Sequence, residues 1–467
     1  MNTMDQVASH SIAQLQQALQ AGSLTSEALV RAQLARIERF DEQLNAYVEA
    51  YPSRALSAAI AADRQRAAGI HLGPLHGIPL AIKDLFEIEG QAITGGSLAQ
   101  EPRVSRLTAT AVQRLERAGA IILGKAQTVE FAFGGWGTNA VMGTPWNPWD
   151  LHTHRVPGGS SSGSSVAVAA GLCSAALGTD TGGSVRIPAG LCGLVGLKTT
   201  HGLVSRHGLV ELCPTHDTVG PITRTVRDAA LMLDVIAGPD VHDPASARAP
   251  VRRVLDGLGH GAAGTRVWVL PASERHAIEP DVLALYDRAL GTLSDLGMRL
   301  VERPLPQSLA ESMRIAGQLM SAEGYANLGE LFEQDLEFDP HVQRRILSGR
   351  DIGAAQYIEL LRLRTNAQAA MLDAMEGLDV CVMPTNAITA IPVSEVDEQS
   401  TPLSRFGRFV NLLDLCSVAV QAGQSGQGLP VSVQFIGRPM AEPLILRVAR
   451  AFEQATPWHE AVPGGLD

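Results

Sequence analysis

The stretch PGGSSSGSSVAVAAGLCSAALGTDTGGSVRIPA, residues 157–189, decides how this chain is read. Glycine, alanine and small hydroxyl residues dominate it. Two Gly-Gly-Ser corners, ending at Ser160 and Ser184, bracket a small-residue helix predicted over 161–172. Glycine permits backbone conformations closed to other residues and lets a ligand approach the main chain closely. Two such corners in one short stretch suggest two loops meeting at one site, each presenting a serine hydroxyl. A hydroxyl near its free pKa is a poor nucleophile and needs a base.

Lysine usage suggests where that base lies. Of the 37 lysines and arginines only three are lysine: Lys83, Lys125 and Lys198. The two residue types serve surface solubility almost equally, but only lysine gives up its proton within reach of neutral pH when it is desolvated. A gene composition favouring arginine would account for Lys125 and Lys198 as chance survivors. Lys83 differs, because it ends the apolar run Gly77-Ile-Pro-Leu-Ala-Ile-Lys83, where burial would favour the neutral amine.

The blocks LHGIPLAIKD (75–84), LGKAQTVEFAFG (123–134), PGGSSSGSSVAVAAGL (157–172), LGTDTGGSVRIPAGLCGLVGLKTTHGLVS (177–205) and GLPVSVQFIGRP (428–439) resemble, in order, those of the amidase signature family. LNAYV (44–48) is similar to its N-terminal helical region. The resemblance implies an α/β fold: one large domain whose mixed central sheet, of about eleven strands, is covered by helices on both faces. It implies Lys83 as base, Ser160 as a bridging serine after a cis peptide bond, and Ser184 as nucleophile. Thr181, Gly182 and Gly183 would aim backbone N–H groups at a developing oxyanion. Asp180, Arg186 and Ser161 fall in supporting positions. Phe133 matches a position lining the acyl channel in some members, and Trp136 stands beside it as a second substrate-binding candidate. Core packing is the competing reading for Trp136, Trp146 and Trp149, which crowd the segment before Ser160.

Rival motifs fit less well. Gly159-Ser-Ser161-Ser-Gly163 has the spacing of a nucleophile elbow, but the preceding 152–157 is not the apolar strand that an elbow requires. A phosphate loop would end in Gly-Lys-Ser/Thr, and no lysine lies between 126 and 197. A Ser-x-x-Lys pair is absent, since residues 80, 122 and 195 are Leu, Ile and Val. The 13 histidines are scattered, with no zinc-type spacing, so neither metal nor cofactor is expected.

Composition fits an intracellular globular enzyme. Apolar residues make up 45% of the 467 positions, ample for a large core, and no window reaches 18 apolar residues. The polar start lacks a signal peptide's basic and apolar regions. Five cysteines in apolar contexts read as reduced, pointing to the cytoplasm. A net charge of −11 offers no footprint for nucleic acid or an anionic membrane. The expected partners are a small amide substrate and a second copy in a homodimer.

Strands are predicted at 79–83, 120–124, 266–270, 299–303, 379–383 and 430–436. Helices are predicted at 11–21, 25–40, 52–68, 108–118, 224–237 and 280–296. The N-terminal helical region, 1–70, is expected to pack on a domain of 71–467 carrying a helical cap at about 308–375. The implied activity is hydrolysis of a small-molecule amide C–N bond through a Ser184 acyl-enzyme, releasing a carboxylate and ammonia or an amine. The alternative is a glutaminase-type A subunit of a tRNA-dependent amidotransferase. A second alternative is a hydrolase of small urea-derived amides, since Phe409-Val-Asn-Leu-Leu-Asp-Leu415 is similar to allophanate hydrolases. Ala126-Gln127 and Gln421 depart from the family pattern, which places substrate choice rather than the chemistry in question.

Overall fold

The computed structural model describes residues 9–99, 103–251 and 253–466. Its framework is a set of short, apolar strands: β1 (Tyr47–Ala50), β2 (Pro79–Lys83), a small outlying pair β3 (Ala92–Ile93) and β4 (Arg103–Val104), and β5 (Ile121–Ala126). These are followed by β6 (Ala175–Asp180), β7 (Val195–Lys198), β8 (Thr218–Thr223), β9 (Arg266–Val269), β10 (Arg299–Glu302), β11 (Val380–Pro384), β12 (Cys416–Gln424) and β13 (Pro430–Gly437). All but β3 and β4 join one 11-stranded mixed sheet in the order β1-β5-β2-β6-β8-β7-β12-β13-β11-β9-β10. Its central strands are buried along their length, as a sheet covered on both faces must be. Alternation sorts their side chains. Leu80 and Ile82 face one hydrophobic cluster, and Ala81 between them faces another.

The six predicted strands all form, with ends shifted by a residue or two. LNAYV is not helical throughout. Asn45 takes a left-handed φ of 48° that ends the helix Ser26–Leu44, and Tyr47–Ala50 then pairs antiparallel with β5. Sequence patterning does not predict β6, β7, β8 or β12. Their glycine and threonine content hides them from period-two alternation, and they form because both faces are covered.

Two features of this topology place the site. The parallel neighbours β2 and β6, inside the sheet, end side by side at Lys83 and Asp180, at the carboxyl ends of the two strands. The helices Leu309–Phe332 and Pro340–Leu347 bring Met320 and Arg345 to the cleft there. No helix among the described residues is long and apolar enough to cross a membrane.

All three lysines are at most 1% exposed. Lys198 donates to the carbonyls of Thr199 and Leu415, both at 2.8 Å, and so ties β7 to the start of β12. Lys125, on β5, pairs with Asp84, the residue after β2, and Asp84 also accepts the Thr94 N–H at 3.0 Å. Removing one partner of a buried pair strands a charge, whereas replacing both with apolar groups is tolerated. Asp84→Ala is therefore expected to destabilise the fold by about 3–5 kcal/mol. Asp84→Leu combined with Lys125→Met should recover much of that loss. Chemical denaturation of the two proteins checks the order.

Candidate active site

Lys83 closes β2 with its side chain completely buried. Its Nζ lies 2.7 Å from Ser160 Oγ and 2.8 Å from the hydroxyl of Thr179 on β6. Burial lowers its pKa to about 7, against the opposing pull of Asp217 and Asp180. Both contacts are to neutral hydroxyls, so no counter-ion holds the proton in place. The amine is poised to exchange it near neutrality.

Ser160 follows a cis Gly159–Ser160 peptide bond. Its carbonyl accepts from Val129 N–H at 3.2 Å and from the Thr128 hydroxyl at 3.0 Å, which fixes the loop. The close approach of Gly159 to Gly137 requires glycine, since a Cβ would stand 2.8 Å from that backbone. Ser161 N–H donates to the Ser184 carbonyl at 3.2 Å, and Ser161 Oγ donates to the carbonyl of Thr179 at 3.2 Å. The two Gly-Gly-Ser corners are thus joined directly. Ser184, 6% exposed, opens into a cleft that Phe133, Gly182, Ile187, Met320 and Ser404 also line.

Asp180 organises the second corner. Its carboxylate accepts from the N–H groups of Gly183 at 2.8 Å and Val185 at 3.1 Å, and Arg186 grips both its oxygens at 3.0 Å. Burial alone would raise its pKa, but Arg186 holds the carboxyl well below its usual range. Arg186 also donates to Gln434 at 2.9 Å and Asn411 at 2.7 Å, and Asn411 returns a hydrogen bond to the Asp180 carbonyl at 2.9 Å. The Thr181 hydroxyl donates to Asp217 at 2.6 Å.

The structure alters two sequence expectations here. The Gly183 N–H is taken by Asp180, while the Gly182 and Ser184 amides donate to no acceptor among the described residues. Of the residues named for the oxyanion, Gly183 therefore serves the loop, Gly182 lines the cleft and Thr181 is tied through its hydroxyl to Asp217; Ser184, not named for that role, also has its amide free at the cleft. Trp136 does not line the cleft. Its indole donates to the Ser400 carbonyl at 3.0 Å and packs among Val156, Ile187, Leu191 and Leu403. Phe133 does line it, its carbonyl held by Arg345 at 2.7 Å. Gln127 and Gln421 are buried away from the lining.

Sequence reasoning missed Thr179, Asp217, Asn411 and Gln434. Asn411 and Gln434 sit in quoted motifs, 411 in FVNLLDL and 434 in VSVQFIG, as polar residues within apolar runs. That was the available signal.

The family model described as Amidase matches residues 28–446. In Geobacter metallireducens, the A subunit of glutamyl-tRNA(Gln) amidotransferase is 40% identical, the match covering 97% of this chain and 98% of its own. The native peptide amidase of Stenotrophomonas maltophilia superposes with a TM-score of 0.84 at 34% identity, over 96% of each chain. A chain from a vestigial protein complex bearing on the evolutionary origins of an s-triazine catabolic enzyme superposes with a TM-score of 0.88 at 31% identity. That match covers 95% of this chain and 98% of the other.

A neutral Lys83 dominates above its pKa, so reactivity passed from it to the neighbouring serines rises with pH. Sulfonylation of the protein by a small sulfonyl fluoride, with loss of fluoride, should increase as a single-proton limb centred near pH 7 and level off above it. Stopped-time labelling followed by mass spectrometry reads both the limb and the modified residue, expected to be Ser184.

Proposed function

The chain belongs to the amidase signature family, and from that premise we propose that it hydrolyses an amide C–N bond through a Ser184 acyl-enzyme. The observation that carries this reading is the buried Lys83 amine 2.7 Å from Ser160, on a loop bonded to that of Ser184. Ser184 Oγ attacks the carbonyl while its proton passes to Ser160 Oγ, whose own proton moves to Lys83. The oxyanion forms against the Gly182 and Ser184 amides. Lys83 returns its proton through Ser160 to the leaving nitrogen, and the C–N bond breaks. Water then attacks the ester and passes its proton through Ser160 to Lys83; the ester C–O bond breaks, that proton returns to Ser184 Oγ, and the carboxylate is released.

The role supported by the sequence relatives is that of an ammonia-releasing A subunit that works on glutamine within a complex. What supports it is 40% identity sustained over nearly all of both chains. A free-standing amidase is the second reading, favoured by the superposition on a peptide amidase. Purification of the tagged chain from cells with its neighbours present separates them. Glutaminase activity in a stable hetero-complex supports the first, and amide turnover by the isolated chain supports the second.

Ser184→Ala is expected to lower kcat/KM by roughly 10⁴-fold with the melting temperature unchanged. Lys83→Arg should be nearly as damaging, because guanidinium keeps the charge but cannot accept the proton. Residues acting as one unit are non-additive, so the double variant should be scarcely worse than either single one. Retention of a tenth of wild-type turnover by Ser184→Ala would sink the nucleophile assignment. Near-normal kcat in Lys83→Arg would sink the base.

A further inference from the structure

The cleft beside Ser184 holds two arginines in different states. Arg345 is fully engaged: it donates to the Phe133 carbonyl at 2.7 Å, to the Glu398 carbonyl at 2.9 Å and to the Glu398 carboxylate. Arg186 and Arg405, nearby on the chain or in space, have carboxylate partners as well. Arg408 has none. Its side chain makes no hydrogen bond or ion pair among the described residues, yet it lines the same cleft as Ser184, Met320 and Ser404. It is only partly exposed. Burial pulls its pKa down to about 10, and Arg345 adds to that pull.

Its place is fixed by close packing. Gly407 lies against the oxyanion loop so tightly that a Cβ there would stand 2.6 Å from the Gly182 carbonyl oxygen. A Cβ on Gly182 would in turn meet the Arg408 side chain at 3.1 Å. Arg408 thus opens the short helix Arg408–Leu412 directly behind that loop, and its guanidinium lies beside Gly317 of the helix Leu309–Phe332, where a Cβ would stand 3.4 Å from Nη1. A half-desolvated cation without a counter-ion is an unfavourable arrangement that a bound anion relieves. Guanidinium matches a carboxylate with two parallel hydrogen bonds.

We propose that Arg408 selects the substrate, and that the amide hydrolysed here carries a carboxylate a short distance from its scissile carbonyl. The inference rests on Ser184 as nucleophile and names the substrate class for that site. Short dicarboxylic monoamides, amino-acid amides of the glutamine type and ureido acids share this chemistry. Neutral aliphatic and aryl amides lack it. Phe133, Ile187 and Met320 pack the acyl chain, and Arg408 fixes its far end, so the carbonyl is held against Ser184 rather than left to slide.

Paired substrates of matched shape test the idea: succinamate against 4-methylpentanamide, its neutral isostere, with ureidoacetate as a second anionic member and zwitterionic L-glutamine as a further carboxylate bearer. Wild-type enzyme should prefer the best anionic member over its neutral isostere by at least about 30-fold in kcat/KM. Arg408→Gln should bring that ratio close to one, mainly through KM, and Arg408→Lys should keep part of it. Calorimetric titration with malonate, succinate and glutarate gives a second readout independent of turnover, in which at least one dicarboxylate binds wild type and weakens by a similar factor in Arg408→Gln. Equal Ser184-dependent turnover of charged and neutral partners overturns the inference. So does a ratio unchanged in a normally melting Arg408→Gln protein, or the failure of every dicarboxylate to bind. Turnover that survives Ser184→Ala instead condemns the nucleophile assignment and leaves the charge preference to be read from the binding arm.

Discussion

The ion pair between Asp180 and Arg186 is the contact on which the site depends. Both side chains are at most 1% exposed, and their geometry is bidentate. In a dry interior such a pair contributes little net stability, because desolvation offsets most of the attraction. What it supplies is position. One carboxylate fixes the amides of Gly183 and Val185, while its guanidinium partner reaches Gln434 on β13 and Asn411. The loop that carries Ser184 is thereby clamped to β13 and to the helix Arg408–Leu412, both more than two hundred residues further along the chain. The Gly182 amide is left free for the cleft because its neighbour is not.

Lys83 works under a different constraint. Its neighbours within hydrogen-bond reach are hydroxyls, and the nearest acids act on it only through space. Lys125, equally buried, has Asp84 against it, which opposes the effect of burial. The contrast separates two buried amines on one sheet. A carboxylate beside a buried amine favours its charged form, whereas neutral hydroxyls leave burial unopposed at contact range.

Much of this was visible in the sequence. Ser160 and Ser184 occupy one contiguous stretch, so their kinship needed only local reading, and the apolar run ending at Lys83 marked a strand terminus. The 11-stranded sheet followed from the resemblance rather than from periodicity. Strands such as β7, VGLK, and β8, TVGPIT, carry no alternation to read. Asn411, Gln434 and Arg408 were out of reach because sheet order, not spacing, brings them to the corner. Trp136 misled because proximity in sequence to Ser160 says nothing about which way an indole points. The engaged amide of Gly183 was legible in principle: an aspartate three residues before a glycine is a familiar side-chain-to-backbone turn.

The burial of every lysine has a consequence for the outside of the molecule. Its exposed cations are guanidinium groups, as at Arg31, Arg54, Arg103, Arg314 and Arg362. Reagents and modifying enzymes that seek an ε-amine meet none on the surface: acylating labels, aldehyde crosslinkers, acetyl and ubiquitin transfer alike. The three amines are hidden within the sheet and its adjoining loops, so their accessibility to such reagents reports directly on whether the sheet is intact.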